Sequence, residues 1–154
     1  MERLELALKT GQIKTEEEEQ QEREAFYFTL RLLDSQEGRR AKKALESFAH
    51  QRGQRQRLDP TLDLTHVALE VVEAVPPFYS QLIEATKISP RPDMLRIGVT
   101  GHAIVRALVE LARWREAKEW TTHYFSLPME YQDGKQGEMK ILSDRCERML
   151  KKIE

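Results

Sequence analysis

The chain has 154 residues and a formal net charge of −1, and 40% of its residues are hydrophobic while 33% are charged. A chain of this length folds as one domain and buries about 68–70% of the surface that its unfolded form exposes, so it needs no disulfide or metal for stability. The single cysteine, Cys146, excludes an intrachain disulfide, and no apolar run approaches the ~20 residues that span a bilayer.

The overall pattern of the sequence indicates an all-α fold. No stretch of five or more residues alternates apolar and polar side chains as a half-buried strand does. We therefore expect one helical domain over residues 1–154, a bundle of five to seven helices, with residues 1–14 loosely attached. The charged first residues lack the hydrophobic region of a signal peptide, which favours a soluble protein of the cytoplasm or nucleus.

The first predicted helices lie before residue 35. Residues 2–9 are predicted to form a short helix, which Gly11 ends. Thr15 is the predicted N-cap of a second helix, because glutamates at 16–19 favour the positive end of a helix dipole, and this helix runs to about Asp34. The predicted buried side carries the large apolar residues Phe26, Phe28, Leu30, Leu32 and Leu33.

A third helix is predicted between Gly38, which separates it from the second, and Gly53, which closes it. Its apolar residues recur at helical spacing and form one stripe. They are Ala41, Ala44, Leu45, Phe48 and Ala49. Residues 54–58 are predicted to be a polar, basic linker.

The next helix is expected to begin at Asp59-Pro60, a capping acid followed by a proline suited to the first helical position. Pro76 and Pro77 would normally break it. The apolar stripe nevertheless continues in phase across both prolines, so we predict one long, kinked helical element that ends near Lys87.

The C-terminal half is predicted to contain three further helices. Residues 89–93 form a loop in which Asp93 caps the next helix. The helix over 95–113 has a wide apolar arc and should lie at the centre of the domain. A very short turn then leads to a helix over 116–126, so these two should pack antiparallel.

The last predicted elements are a surface loop over 131–137 and a helix over 136–153. The apolar residues of that helix fall at alternating steps of three and four, and are Met139, Leu142, Cys146, Met149 and Ile153. If its outer edge with Leu150 stayed exposed, it would form a second docking or dimer surface.

Residues 101–128 resemble one helical hairpin of the tetratricopeptide-repeat (TPR) family. In that family an aromatic residue followed by x-Glu-Ala opens the second helix of each pair, and a proline closes it. Residues 114–117, WREA, match this opening, and Pro128 falls one position early. No second copy follows at the family's spacing. The resemblance implies a helix-hairpin fold that is used for protein recognition.

An aromatic and arginine-rich corner is the leading candidate site. Five of the chain's eleven aromatic residues lie between Trp114 and Tyr131. Tryptophan, tyrosine and arginine are enriched at protein-interface hot spots, although aromatics at helical spacing also pack in cores. The predicted partner-binding residues are Arg113, Trp114, Arg115, Trp120 and Tyr124.

The alternative site is the basic segment 38–57, which holds seven cationic residues and one acid. These cations are Arg39, Arg40, Lys42, Lys43, Arg52, Arg55 and Arg57. They are solvated helix surface in one interpretation, and nucleic-acid phosphate contacts in the other. An acidic stretch over 16–24 could pair with them instead.

No other motif predicts a reactive site. Glycines at 98 and 101 favour either a close approach of two helices or a local break in the helix. The acids and histidine at 63, 66, 70 and 73 are interpreted as solvated helix surface, and Cys146 as a buried thiol. We therefore expect no cofactor, no metal and no enzymatic activity. The predicted function is an adaptor or accessory subunit that binds another protein, or alternatively nucleic acid, with a homodimer as a further option.

Overall fold

The computed structural model describes residues 15–88 and 91–153, and within these ranges the chain is an all-α bundle without strands. Six helices of 13 to 24 residues and one helical turn follow in order. They are α1 (Glu16–Leu33), α2 (Gln36–Arg57), α3 (Thr65–Ile88), the short α4 (Pro92–Leu95), α5 (Ile97–Glu110), α6 (Trp114–Ser126) and α7 (Gln136–Ile153). In the described ranges, no helix is both long and apolar enough to cross a membrane. The helix predicted over 2–9 lies outside the described residues.

The corner between α1 and α2 is set by two side-chain caps. The Thr15 hydroxyl accepts the N–H of Glu18 at 3.2 Å, which confirms the predicted start of α1. Ser35 caps α2 by accepting the N–H of Gly38 at 3.0 Å. Gly38 thus lies inside the first turn of α2, so its prediction as a separator is wrong. A Cβ there would clash with the Leu33 carbonyl oxygen, because the two helices meet tightly.

The predicted buried side of α1 is confirmed in part, because Phe28, Leu32 and Leu33 pack against the core. Thr29 is fully buried and Phe28 packs partly against the core, whereas Phe26 and Leu30 remain 37% and 40% exposed. α2 also differs, because it continues without interruption through Gly53 to Arg57. The predicted basic linker is therefore the last turn of a helix.

α3 begins at Thr65, five residues later than the predicted first helical position at Pro60. Asp59 forms a turn in which its carboxylate accepts the N–H of Thr61 at 3.0 Å. The Asp63 carboxylate accepts the N–H of Thr65 at 2.9 Å, directly before the helix starts. From there one helix runs through Pro76 and Pro77 to Ile88, as the uninterrupted apolar stripe predicts.

α5 forms the centre of the bundle. Ten of its fourteen residues are buried, and it packs against α3, α6 and α7. The helix is shorter than the predicted 95–113, because Arg96 and Ala112 adopt left-handed backbone conformations at either side of it. Asp93, the predicted cap of this helix, lies inside α4, and the N-cap position of α5 is Arg96.

The segment between α6 and α7 is locked onto the start of α5. It contains a 3-10 turn (Met129–Tyr131). Gln132 is only 4% exposed, so the prediction of a surface loop from residue 131 is wrong at its first two positions. The Asp133 carboxylate accepts the backbone N–H of Val99 at 3.1 Å. This segment therefore fixes where α7 begins.

The close approach of Gly98 to Gln132 gives a stability test. A Cβ at Gly98 would clash with the backbone of Gln132, which cannot move without displacing α6 or α7. Gly98→Ala should therefore lower the free energy of unfolding by about 1–3 kcal/mol. Urea denaturation followed by circular dichroism measures this loss.

Gly101→Ala is the matched control, three residues along the same helix. A Cβ there would lie 3.6 Å from the Tyr79 ring, an ordinary contact. Because alanine favours helix over glycine by roughly 0.5–1 kcal/mol, this variant should be neutral or more stable. Equal destabilisation by both substitutions would contradict the assigned contact.

Candidate functional site: an aromatic groove between α3 and α6

The predicted aromatic and arginine corner does not form one surface. Tyr124 is 1% exposed, and its hydroxyl donates to the backbone carbonyl of Gln132 at 2.7 Å. It lies with Ala117 and Thr121 on the face of α6 that enters the core. Tyr124 is therefore a core residue and cannot contribute to a binding surface.

The start of α6 faces a different neighbour. Arg113 and Arg115 are exposed, whereas Trp114 is half-buried. The guanidinium of Arg145, on α7, lies 5.5 Å from the centre of the Trp114 ring. This arrangement ties α6 to α7, so Trp114 is already occupied by a contact within the chain.

Trp120, farther along α6, lies against α3. Its ring is 5.0 Å from that of Tyr79 and 6.0 Å from that of His123, in edge-to-face geometry. The Tyr79 hydroxyl and the Nε2 atom of His123 are 2.7 Å apart and share a hydrogen bond. Two helices thus fix three rings relative to one another.

These rings border an open groove of about 410 Å³ between α3 and α6. Ile83 and Trp120 supply its apolar wall, and Glu84 and Glu119 lie along its rim. Burial raises the pKa of the Tyr79 hydroxyl and lowers that of His123, so both groups are uncharged at neutral pH. The groove is therefore apolar inside and acidic at its edge.

The sequence alone could not predict that Tyr79 belongs to this site. Tyr79 lies on the apolar stripe of α3, 44 residues before His123, and its position in that stripe indicates an ordinary core residue. The one available signal was the spacing of Trp120 and His123, which puts both on the same side of α6. Their common neighbour depends on how α3 packs.

The predicted basic segment is divided along α2. Its first four cations are exposed, and are Arg39, Arg40, Lys42 and Lys43. Arg39 lies 3.6 Å from the Asp34 carboxylate, and Lys42 lies 4.0 Å from that of Glu46. Nucleic-acid binding at this segment stays a prediction, and these two pairs partly neutralise the surface that it would use.

The last three cations of the segment contact other groups of the chain. Arg55 forms an ion pair with Glu110 at the end of α5, while Arg57 donates to the Gly53 carbonyl at 3.2 Å. The guanidinium of Arg52 lies 5.7 Å from the centre of the Phe48 ring. Arg52 and Arg55 thus belong to the junction of α2 with α5.

That junction contains a second cavity, of about 340 Å³, in which cations surround one carboxylate. The Glu138 Oε2 atom lies 3.2 Å from His102 Nε2, and 3.7 Å from both Arg106 Nη2 and Lys135 Nζ. Arg106 also donates through Nε to His102 Nε2 at 3.0 Å. Burial, and next the Arg106 charge, lower the pKa of His102 to about 4.

The remaining sequence features agree with structural roles. His66 lies 3.3 Å from the Glu70 carboxylate on the exposed side of α3. In the described part of the chain, no cluster of three or more histidine, cysteine or acidic side chains has the geometry of a metal site. Cys146 is fully buried, and burial raises the pKa of its thiol, which keeps it protonated at neutral pH.

Tyr124→Phe tests whether this residue belongs to the core. The substitution removes the donor to the Gln132 carbonyl without changing the packing, so it should cost about 1–2 kcal/mol of stability. Arg115→Gln, at an exposed position of the same helix, should change stability by less than about 0.5 kcal/mol. Chemical denaturation of both variants makes the comparison, and an unchanged Tyr124→Phe variant would show that this hydroxyl is dispensable.

His102 should make stability depend on pH. Its pKa is about 4 in the folded chain against 6.5 for the free side chain. Between these values the unfolded chain binds more protons, so stability is lost as the pH falls from 6.5 towards 4. Urea denaturation at several pH values should show a decline, of which on the order of 2–3 kcal/mol is due to this residue.

His102→Gln should flatten that decline, because glutamine takes up no proton. His50, exposed on α2, provides the matched His50→Gln control. Retention of the full pH dependence by the His102→Gln variant would contradict the assignment.

Comparisons with known proteins identify no relative. The chain matches no protein-family model, no characterised protein and no solved structure. The resemblance of residues 101–128 to a TPR hairpin accordingly stays a prediction.

Proposed function

We propose that this protein is a non-enzymatic protein-binding module, an adaptor or accessory subunit of a larger complex. Its binding site is the groove between α3 and α6, which receives an apolar side chain from a basic segment of the partner. The single observation that carries the proposal is the open apolar groove built on Tyr79, Trp120 and His123.

The rigidity of the groove supports binding. The ring contacts and the Tyr79–His123 hydrogen bond hold the wall in one arrangement before a partner arrives. A preformed pocket spares the side-chain ordering that usually opposes association. Tryptophan is the residue type most enriched at interface hot spots, and Trp120 is still partly accessible here.

The charge of the rim specifies the partner. Glu84 and Glu119 are exposed on opposite sides of the groove. Lys87 lies 3.4 Å from Glu84, an exposed pair that contributes little. A partner segment with an aliphatic or aromatic anchor next to lysine or arginine would fill the groove and pair with these acids.

Selection from a random peptide library on the immobilised protein tests this chemistry. Enriched peptides should share a large apolar residue flanked by lysine or arginine. In a Trp114→Phe variant, Trp120 is the sole tryptophan, because the chain has two. Its fluorescence should therefore change and saturate as a selected peptide is added.

Charge reversal on the rim locates the site. The double variant Glu84→Lys with Glu119→Lys should weaken peptide binding by about tenfold or more without a change in melting temperature, because both side chains are exposed. A matched control reverses two exposed acids outside the groove, Glu46 and Glu130. Equal effects of the two double variants, or peptides without basic residues, would contradict the proposal.

A further inference from the structure

The cavity between α2, α5 and the start of α7 has an excess of positive charge. Its charged side chains are Arg52, Arg106, Lys135 and Glu138, so three cations accompany one carboxylate. His102 adds no positive charge at neutral pH. These side chains therefore give the cavity a net charge of +2. The Arg55–Glu110 pair beside it is neutral by itself.

The carboxylate of Glu138 has no closely placed hydrogen-bond donor among the side chains of this cluster. His102 Nε2 faces both Arg106 Nε at 3.0 Å and Glu138 Oε2 at 3.2 Å. One neutral ring nitrogen cannot accept from the first and donate to the second. Because Arg106 is a permanent donor, Nε2 accepts from it and offers Glu138 no proton. The nearest cations are still 3.7 Å from the Glu138 oxygen, and its side chain is 49% exposed.

Glu138 thus occupies a position at which an anion of higher charge would bind more tightly. It is in the first turn of α7, so its side chain can turn towards solvent without moving the backbone. The floor of the cavity is apolar and includes Phe48 and Val99. The volume of about 340 Å³ is within the range of small-ligand pockets.

We propose that this cavity binds a phosphate monoester, whose dianionic group takes the place of the Glu138 carboxylate between Arg52, Arg106 and Lys135. A phosphate monoester carries a charge of about −2 above its second pKa of ~6, so it neutralises more of the charge of the three cations than the single carboxylate that it replaces. Arginine guanidinium groups match phosphate oxygens with paired hydrogen bonds. The apolar floor receives the organic part of the ligand, and the site is independent of the groove between α3 and α6.

Three probes at about pH 8 and constant ionic strength test the site. Inorganic phosphate should bind saturably, as followed by calorimetry and by the backbone amide resonances of Val99 and Lys135. Phenyl phosphate should bind more tightly, because its ring covers the apolar floor. Dimethyl phosphate is a monoanion and should bind at least about tenfold more weakly than phenyl phosphate. Equal affinity for the monoanion would overturn the charge argument.

Substitution of Glu138 separates ligand binding from a purely structural cluster. Glu138→Gln removes the competing carboxylate, so it should increase the affinity for phenyl phosphate about tenfold. It should also lower the melting temperature, and phenyl phosphate should restore it. A structural cluster alone would give the lower melting temperature with no gain in affinity. That result, or no saturable binding by the parent and this variant, overturns the proposal.

Two single variants on α2, Arg52→Gln and its matched control Arg40→Gln, complete the test. Arg52 lines the cavity, whereas Arg40 is exposed nearer the start of the helix. Arg52→Gln should reduce the affinity for phenyl phosphate about tenfold, and Arg40→Gln should leave it unchanged. Equal losses in both variants would indicate nonspecific attraction to a basic helix and would refute the site.

Discussion

The contact between the first turn of α5 and the backbone of Gln132 is the constraint on which the rest of the structure depends. Only a glycine at position 98 permits it. The same carbonyl of Gln132 accepts the Tyr124 hydroxyl, while the Gln132 side chain donates to the Leu127 carbonyl at 2.8 Å. One backbone segment therefore connects the central helix, the second helix of the hairpin and the start of α7.

Both candidate sites follow from this connection. Since Tyr124 anchors one face of α6 in the core, Trp120 and His123 are directed towards α3 and meet Tyr79 there. Since Asp133 holds the segment before α7 against α5, Lys135 and Glu138 come within reach of the charged side chains of α5. The two sites therefore depend on one scaffold but share no lining residue.

Helix content and the central position of α5 were predictable because both depend on local periodicity. The uninterrupted helix across Pro76 and Pro77 was predictable for the same reason, since the apolar stripe stays in phase. The helix boundaries were less predictable, because the sequence offers several suitable residues near each of them. Ser35 caps α2, although Gly38 was the predicted separator, and α3 starts after Asp63, although Asp59 was the predicted cap. The exposed position of Phe26 could not be inferred, because an amphipathic pattern does not say how completely a peripheral helix is covered.

The sites were harder to predict than the fold because they depend on contacts between distant segments. Composition drew attention to the region around Trp120 and to the basic segment. It could not distinguish Tyr124 in the core from Trp120 in a groove, since both lie on the apolar half of α6. Nor could it associate Arg52 with Glu138, because no sequence rule joins residues of α2 and α7 across a third helix.

The two prolines of α3 have a consequence for how this helix is maintained. Prolines at 76 and 77 donate no backbone N–H, so the carbonyls of Val72 and Glu73 lack their usual partners one turn earlier. The middle of α3 therefore has fewer backbone hydrogen bonds than a regular helix. Packing against neighbouring helices compensates for the missing bonds. A synthetic peptide of residues 65–88 would lose its helicity at this point, and a nascent chain would complete α3 only after the segments that cover it had emerged.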